Sequence, residues 1–174
     1  MVDRDVFLRK AIDKLCDFTA SLNVEQRNAV VFLLDGQDVL AVFPMGFGKN
    51  VIFQVFVIVA EMERERIQTA LVLSLQNTIK DQISEARIIG LSASSVVDLS
   101  MEELKSTKFR LLFGSAEKML EERLLNVLKD NRSSIYHNLA AVVINFLEFL
   151  HQRFSKSASC YPYSGPIDVF TRKS

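Results

Sequence analysis

The chain has 174 residues, 49% of them apolar and 24% charged, with few glycines and prolines. This suffices for one domain around a continuous core and excludes disordered and fibrous classes. Lysine plus arginine and aspartate plus glutamate both number 21, so the formal net charge is +0 and any contact with a polyanion must be local. The two cysteines, Cys16 and Cys160, stand far apart without a CxxC spacing and read as free thiols in a reducing compartment, not as zinc ligands. The longest apolar stretch, Val51 to Ala60, is too short for a membrane span and runs into the charged segment Glu61 to Arg66. Acids at Asp3 and Asp5 argue against a signal or transit peptide, so the expected location is intracellular, in nucleus or cytoplasm, with no membrane partner.

Residues 4–18 place Phe7, Leu8, Ala11, Ile12, Leu15 and Cys16 at spacings of three and four, which predicts an amphipathic helix that packs on a core. Asn23 with Gln26 has the form of a capping box, and the helix it opens stops at Gly36. Val39 to Phe43 is a short apolar run bounded by Asp38 and Pro44, the signature of a strand covered on both faces. A glycine-bearing turn follows, then a helical pattern from about Lys49 to Arg66.

Farther on, Thr69 to Leu75 reads as a buried strand, Thr78 to Ile89 as a helix ending at Gly90, and Ser94 to Val97 as a brief strand. Ser100 with Glu103 again has capping-box form and opens a short helix. Phe109 to Phe113 predicts a strand. Glu117 to Asp130 predicts one long helix with Met119, Leu120, Leu124, Leu125 and Leu128 on one face, and Leu139 to Ile144 a further strand. Strands alternating with helices this long predict an α/β fold, a mainly parallel sheet with helices on both faces. Phe146, Leu147, Phe149, Leu150 and Phe154 could line a helix, but residues 155–174 are rich in Ser and Pro without a helix or strand period. The expected organisation is a packing helix over residues 1–20, a single lobe over 21–150 and an irregular tail over 151–174.

The segment Phe43-Pro44-Met45-Gly46-Phe47-Gly48-Lys49-Asn50 lies between a buried strand and a helix. A phosphate chain needs closely spaced backbone N–H donors that side chains would obstruct, so Gly46 and Gly48 permit a tight wrap while the helix directs its N-terminal dipole at the anion. Lys49 supplies a cation, and Met45, Phe47 and Asn50 complete the loop. The same letters could also form a plain strand-to-helix turn. The general pattern ends in Ser or Thr, whose hydroxyl binds Mg2+; Asn50 offers an amide oxygen instead, a weaker ligand.

Residues Asp38 to Gln54 resemble the first motif of RecQ-type superfamily 2 DNA helicases, with a Pro-Thr-Gly-(Tyr/Phe)-Gly-Lys-Ser core from which Met45 and Asn50 depart. Val24-Glu25-Gln26 resembles the family's adenine-recognition motif, with Asn23 where a basic residue is usual. Leu71 to Leu75 with Ile79 to Gln82 resembles motif Ia, and Phe109 to Lys118 resembles motif Ib, with Ser115-Ala116-Glu117 in place of Ser-Pro-Glu. The resemblance implies a P-loop RecA-like lobe that binds ATP, with Mg2+ at a weakened site. In it Gln26 reads the base, Ser74 and Lys80 contact single-stranded DNA, and a second RecA-like lobe complements the site.

After Ile144 the family would carry Asp-Glu-x-His, and here Asn145 and Phe146 occupy the Asp and Glu positions. An amide brings no negative charge and a phenyl ring accepts no proton, so no intact catalytic residue is present. Glu148 and His151 are remote stand-ins, displaced from the position that proton transfer requires. The sequence thus points to the ATP-binding lobe of a RecQ-like helicase, truncated or diverged at this motif and not hydrolytically competent alone. The competing reading is a catalytically silent module for nucleotide, single-stranded DNA or a protein. A nucleotide kinase or small GTPase shares the loop but lacks an Asn-Lys-x-Asp-like base reader.

Overall fold

The structure is a computed structural model that describes residues 4–15, 22–42, 47–106, 108–145 and 167–172; for Val42, Asn145 and residues 167–172 it describes the backbone alone. The capping box expected at Asn23 is formed: Asn23 Oδ1 accepts from the Gln26 amide and the Gln26 side chain accepts from the Asn23 amide, which opens helix α2 (Val24–Leu34). Gly36, just beyond, takes a positive φ of 82°, as its place after the helix predicts. Helix α1 (Arg4–Leu15) buries Leu8, Ala11 and Leu15 in the main core. Arg4 ties α1 to Asp35 and Glu63, and the bond from Asp35, then that from Glu63, raises the guanidinium pKa further above its ordinary value.

Strand β1 (Val39–Val42) leads to α3 (Lys49–Arg64), in which all residues from Val51 to Ala60 are buried. A helix apolar on every side must lie inside the domain, and α3 packs between α1 and α2 on one side and the sheet on the other. There follow β2 (Thr69–Leu73), α4 (Ile79–Ile88), β3 (Ala93–Ser95), α5 (Met101–Lys105), β4 (Leu111–Gly114), α6 (Ala116–Met119), α7 (Glu122–Lys129), α8 (Ser134–Asn138), β5 (Leu139–Asn145) and β6 (Ile167–Arg172).

The sheet order is β1-β6-β5-β2-β4-β3. Strands β5, β2, β4 and β3 pair in parallel. β6 is antiparallel to both β1 and β5, so β1 runs in the same direction as the parallel set. The fold is therefore α/β, a mainly parallel sheet with helices on both faces, the arrangement that RecA-like and Rossmann-type domains share. Alternation along the strands divides the core: Ala70, Val72, Leu111, Phe113 and Val143 face α1 to α4, whereas Leu71 and Leu112 face α5 to α8.

Four features depart from expectation, the first being β1, which was expected to be covered on both faces but lies at the end of the strand order and leaves Leu40 65% exposed. The helix predicted over Glu117 to Asp130 is broken into α6 and α7 at Leu120 and Glu121. The break shifts the helical phase: Met119, Leu124 and Val127 are buried, while Leu120 is 70% exposed. Helix α8, capped by Ser133, was not anticipated from the sequence. The tail expected to be irregular carries β6, whose run Ile167-Asp168-Val169-Phe170-Thr171-Arg172 is rich in β-branched and aromatic residues. Among the described residues no helix is long and apolar enough to cross a membrane, and Val51 to Ala60 forms the centre of α3 instead.

The sheet and α3 meet at Phe113, 1% exposed, whose ring lies edge-on to Phe53 at 6.4 Å. Replacing Phe113 by Ala is expected to lower unfolding stability by about 3–5 kcal/mol, read by urea denaturation with an unchanged m-value. A loss under 1 kcal/mol, on the order of a tolerated surface change, would mean that this contact is not packed as described.

Candidate functional site

Because β1, β5, β2, β4 and β3 point the same way, their carboxyl ends share one edge of the sheet, the usual location of ligands in open α/β domains. The turn from β1 into α3 arrives at this edge. Within it Met45 and Gly46 lie outside the described residues, and Phe47, Gly48, Lys49 and Asn50 lie inside.

Gly48 is the N-cap of α3 at φ 72° and ψ 41°, a left-handed conformation that glycine adopts without steric penalty. A Cβ added there would lie 3.2 Å from the Gln26 side-chain nitrogen, so position 48 is confined both by its backbone and by its neighbour. With no side chain, Gly48 gives α3 no cap. No acid stands in the first turn of α3, although α1, α2, α4 and α7 carry Asp5, Glu25, Asp81 and Glu122 in theirs. Lys49 is the first helical residue and half-buried. A cation at a helix N-terminus opposes the macrodipole, and an anion in front of it would reverse that disadvantage.

Gln26, the adenine reader implied by the resemblance, is brought to this turn. Its Nε2 donates to the carbonyls of Phe47 at 2.7 Å and Gly48 at 3.3 Å, while Oε1 accepts from the Asn23 amide at 3.1 Å. Gln26 is 7% exposed and therefore latches the turn to the start of α2. Both amide hydrogens are engaged, which leaves only acceptor capacity on Oε1 for anything else.

Asn50, the magnesium candidate, donates from Nδ2 to Glu85 of α4 at 3.2 Å. Its Oδ1 has no partner in that bond and is the atom that could face a cation. Among the described residues no group of three or more His, Cys, Asp or Glu is placed to hold a metal ion. Magnesium held mainly by phosphates and water needs no such cage.

Ser74 follows β2 at the same edge, and its amide donates to the Gly114 carbonyl at 3.0 Å. The Ser74 hydroxyl is buried and has no hydrogen-bond partner among the described residues. Lys80 lies exposed in the first turn of α4. Beyond β4, the Ser115 hydroxyl accepts from the Lys118 amide as the cap of α6. The Glu117 carboxyl is held below its ordinary pKa, chiefly by its own backbone amide and then by the Ser115 hydroxyl.

Asn145 is the last residue of β5. Phe146, Glu148 and His151, like Cys16 and Cys160, lie outside the described residues. The register sets Asp168 of β6 between Ala41 of β1 and Asn145 of β5, which brings an acidic residue of the supposed tail to the level of Asn145. Neither Asp168 nor Glu85 was singled out from the sequence. Their only available signal was a carboxylate on an element whose neighbours sequence periodicity does not reveal.

Comparison with known protein families and with curated proteins finds no match to this chain.

The two glycines Gly48 and Gly90 separate backbone strain from crowding. A left-handed alanine costs about 1–2 kcal/mol. Gly90→Ala, at φ 80° with open space around the added Cβ, is expected to lose that amount alone. Gly48→Ala is expected to lose about 1 kcal/mol more, because the new Cβ displaces the Gln26 amide from its bonds. Urea unfolding of both variants checks this, and equal losses would show that Gln26 does not hold the turn.

Proposed function

We propose that this chain is the nucleotide-binding lobe of a RecQ-like DNA helicase, holding the phosphate chain of ATP at the start of α3 and not competent to hydrolyse it alone. The observation that carries this reading is the N-terminus of α3. It follows strand β1 at the carboxyl edge of a mainly parallel sheet, opens on a left-handed glycine without a side-chain cap, and places Lys49 where the other long helices carry an acid. An uncapped N-terminus headed by a lysine disfavours the free helix and favours a bound anion.

In this reading Lys49 neutralises the terminal phosphates and the backbone amides of the first turn donate to them. Gln26 fixes the turn from behind, with Oε1 left to accept from a base amine. Asn50 would hold Mg2+ through Oδ1, where the ion would screen phosphate charge. That oxygen is neutral, so the metal adds little to affinity. Phosphoryl transfer depends on placed charge and a base, and neither Asn145 nor Phe146 supplies one. The ordered resemblance to four helicase motifs supports DNA as the second ligand and a second RecA-like lobe as the complement.

Titration calorimetry of ADP and ATP, with and without Mg2+, tests the site. The parent is expected to bind weakly, Lys49→Ala at least tenfold more weakly, a difference of about 1.4 kcal/mol. Asn50→Ser is expected to increase the response to Mg2+, and no variant should release phosphate. Equal affinity in parent and Lys49→Ala would sink the site, and Lys49-dependent phosphate release would overturn the claim of inactivity.

A second reading, a silent single-stranded-DNA module, is favoured by Lys80, exposed in the first turn of α4. Phosphate contacts weaken as salt rises. Binding of an oligothymidylate should fall with salt and lose about one unit of slope in Lys80→Ala, whereas binding indifferent to salt counts against it.

A further inference from the structure

We propose that β6 is the positioning element of the nucleotide site: β1 and β6 dock on, and open from, the β5-β2-β4-β3 sheet as one unit, so that β6 docking and nucleotide binding are coupled. The coupling to nucleotide rests on the function proposed above, whereas the dependence of β1 on β6 does not.

β1 and β5 do not pair with each other; β6 lies between them, matched to Val39–Val42 on one side and Ala141–Asn145 on the other. Neighbouring strands lie about 4.8 Å apart, so β1 is two spacings, about 9.6 Å, from β5. Without β6 a slot one strand wide would open, and the facing backbone groups of both strands would lose their partners. Closing it would require β1 to move by about 4.8 Å. That displacement would pull on the turn that ends at Phe47, Gly48 and Lys49, which Gln26 holds from the opposite side.

The anchorage of β1 is one-sided in other respects. Among the described strands it pairs only with β6. Val39 and Ala41 are buried in the core beneath α2 and α3, but Leu40, on the other face, is 65% exposed. β5, by contrast, keeps β2 as a parallel partner whether or not β6 is present. The direction of β6 adds to the argument. Running against its neighbours, it begins at the edge where the site lies, and its first pair is Ile167 with Val42, the last residue of the strand that feeds the turn. The strand that bridges the gap thus begins beside the site that its docking would position.

Hydrogen exchange in the full chain tests this. Val169 pairs with both Leu40 and Ile144, and proline at that position removes a ladder donor from a central strand. In Val169→Pro, exchange of the amides of 39–42 should accelerate at least tenfold while those of 69–73 and 111–114 hold. ADP affinity should fall at least tenfold, and the conservative Val169→Ile should reproduce the parent in both. In the parent, ADP at one hundred times its Kd should slow exchange of 39–42 and 167–172 together by about a hundredfold, with little effect on 69–73 and 111–114. This arm needs no variant and stands even if Val169→Pro fails to fold. Unchanged protection of β1 in a folded Val169→Pro, or ligand-induced slowing that spreads equally over all strands, would overturn the proposal. If ADP fails to bind the parent, the nucleotide reading falls, and the ligand-free comparison still decides whether β1 depends on β6.

Discussion

The burial of α3 is the constraint on which the rest of the structure depends. Ten successive residues, Val51 to Ala60, are shielded from water, so the helix has no solvent face and only its ends can interact with anything outside the domain. A parallel strand feeds its N-terminus, which fixes that end at the carboxyl edge of the sheet. Its other end is fixed at the opposite edge, where Glu61 accepts two guanidinium bonds of Arg110 at 2.6 and 2.7 Å. Glu65 there closes the helix with a φ of 53°, an uncommon value for a residue with a side chain. Core packing therefore brings the start of α3, and with it Gly48, Lys49 and Asn50, to this edge of the sheet.

Such a turn still needs restraint, and the structure applies it from two directions. On the helical side Gln26 holds the carbonyls of Phe47 and Gly48; such bonds contribute about 1 kcal/mol each in net terms, enough to bias a turn but not to fix it against the core. On the sheet side the restraint is the ladder of β1 with β6. Gln26 belongs to α2, which is capped and rigidly packed, whereas β6 lies between β1 and β5 and is reached only after a long connection from β5. The two restraints therefore differ in kind, one a pair of side-chain bonds and the other a strand of the sheet itself.

Most of the fold was legible because its signals are local. Asn23 with Gln26 and Ser100 with Glu103 both form the capping boxes that their spacing predicts, and Gly36 and Gly90 both take the positive φ expected beyond a helix. The break between α6 and α7 was not legible. Leu120 continues a helical apolar stripe in sequence, and only the course of the chain across α5 and α8 puts it outside. β6 was hidden by the Ser- and Pro-rich residues before it, and its placement is a long-range pairing that no window of sequence contains. In the site, the sequence identified the turn and Gln26 as related, but the partners of Gln26 and Asn50 come from elements 21 and 35 residues away.

On the reading proposed above, the composition of the site would separate holding a phosphate chain from cleaving it. Holding requires donors that converge and a positive potential, which a helix N-terminus of roughly half a unit charge and one lysine supply in part. A triphosphate carries more negative charge than these offset, so binding in this chain should be weak, and a cation would improve it only so far as the protein can hold that cation in place. Asn50 can orient a metal but cannot balance its charge, because its amide is neutral and its nitrogen is committed to Glu85. Cleavage demands more: a metal fixed by carboxylate and a group to receive a proton, both placed before the reaction begins. On the reading proposed above, Asn145 at the end of β5 would leave the first requirement unmet. The strand keeps its pairs with β2 and β6, so the sheet that supports the turn does not depend on a carboxylate at this position.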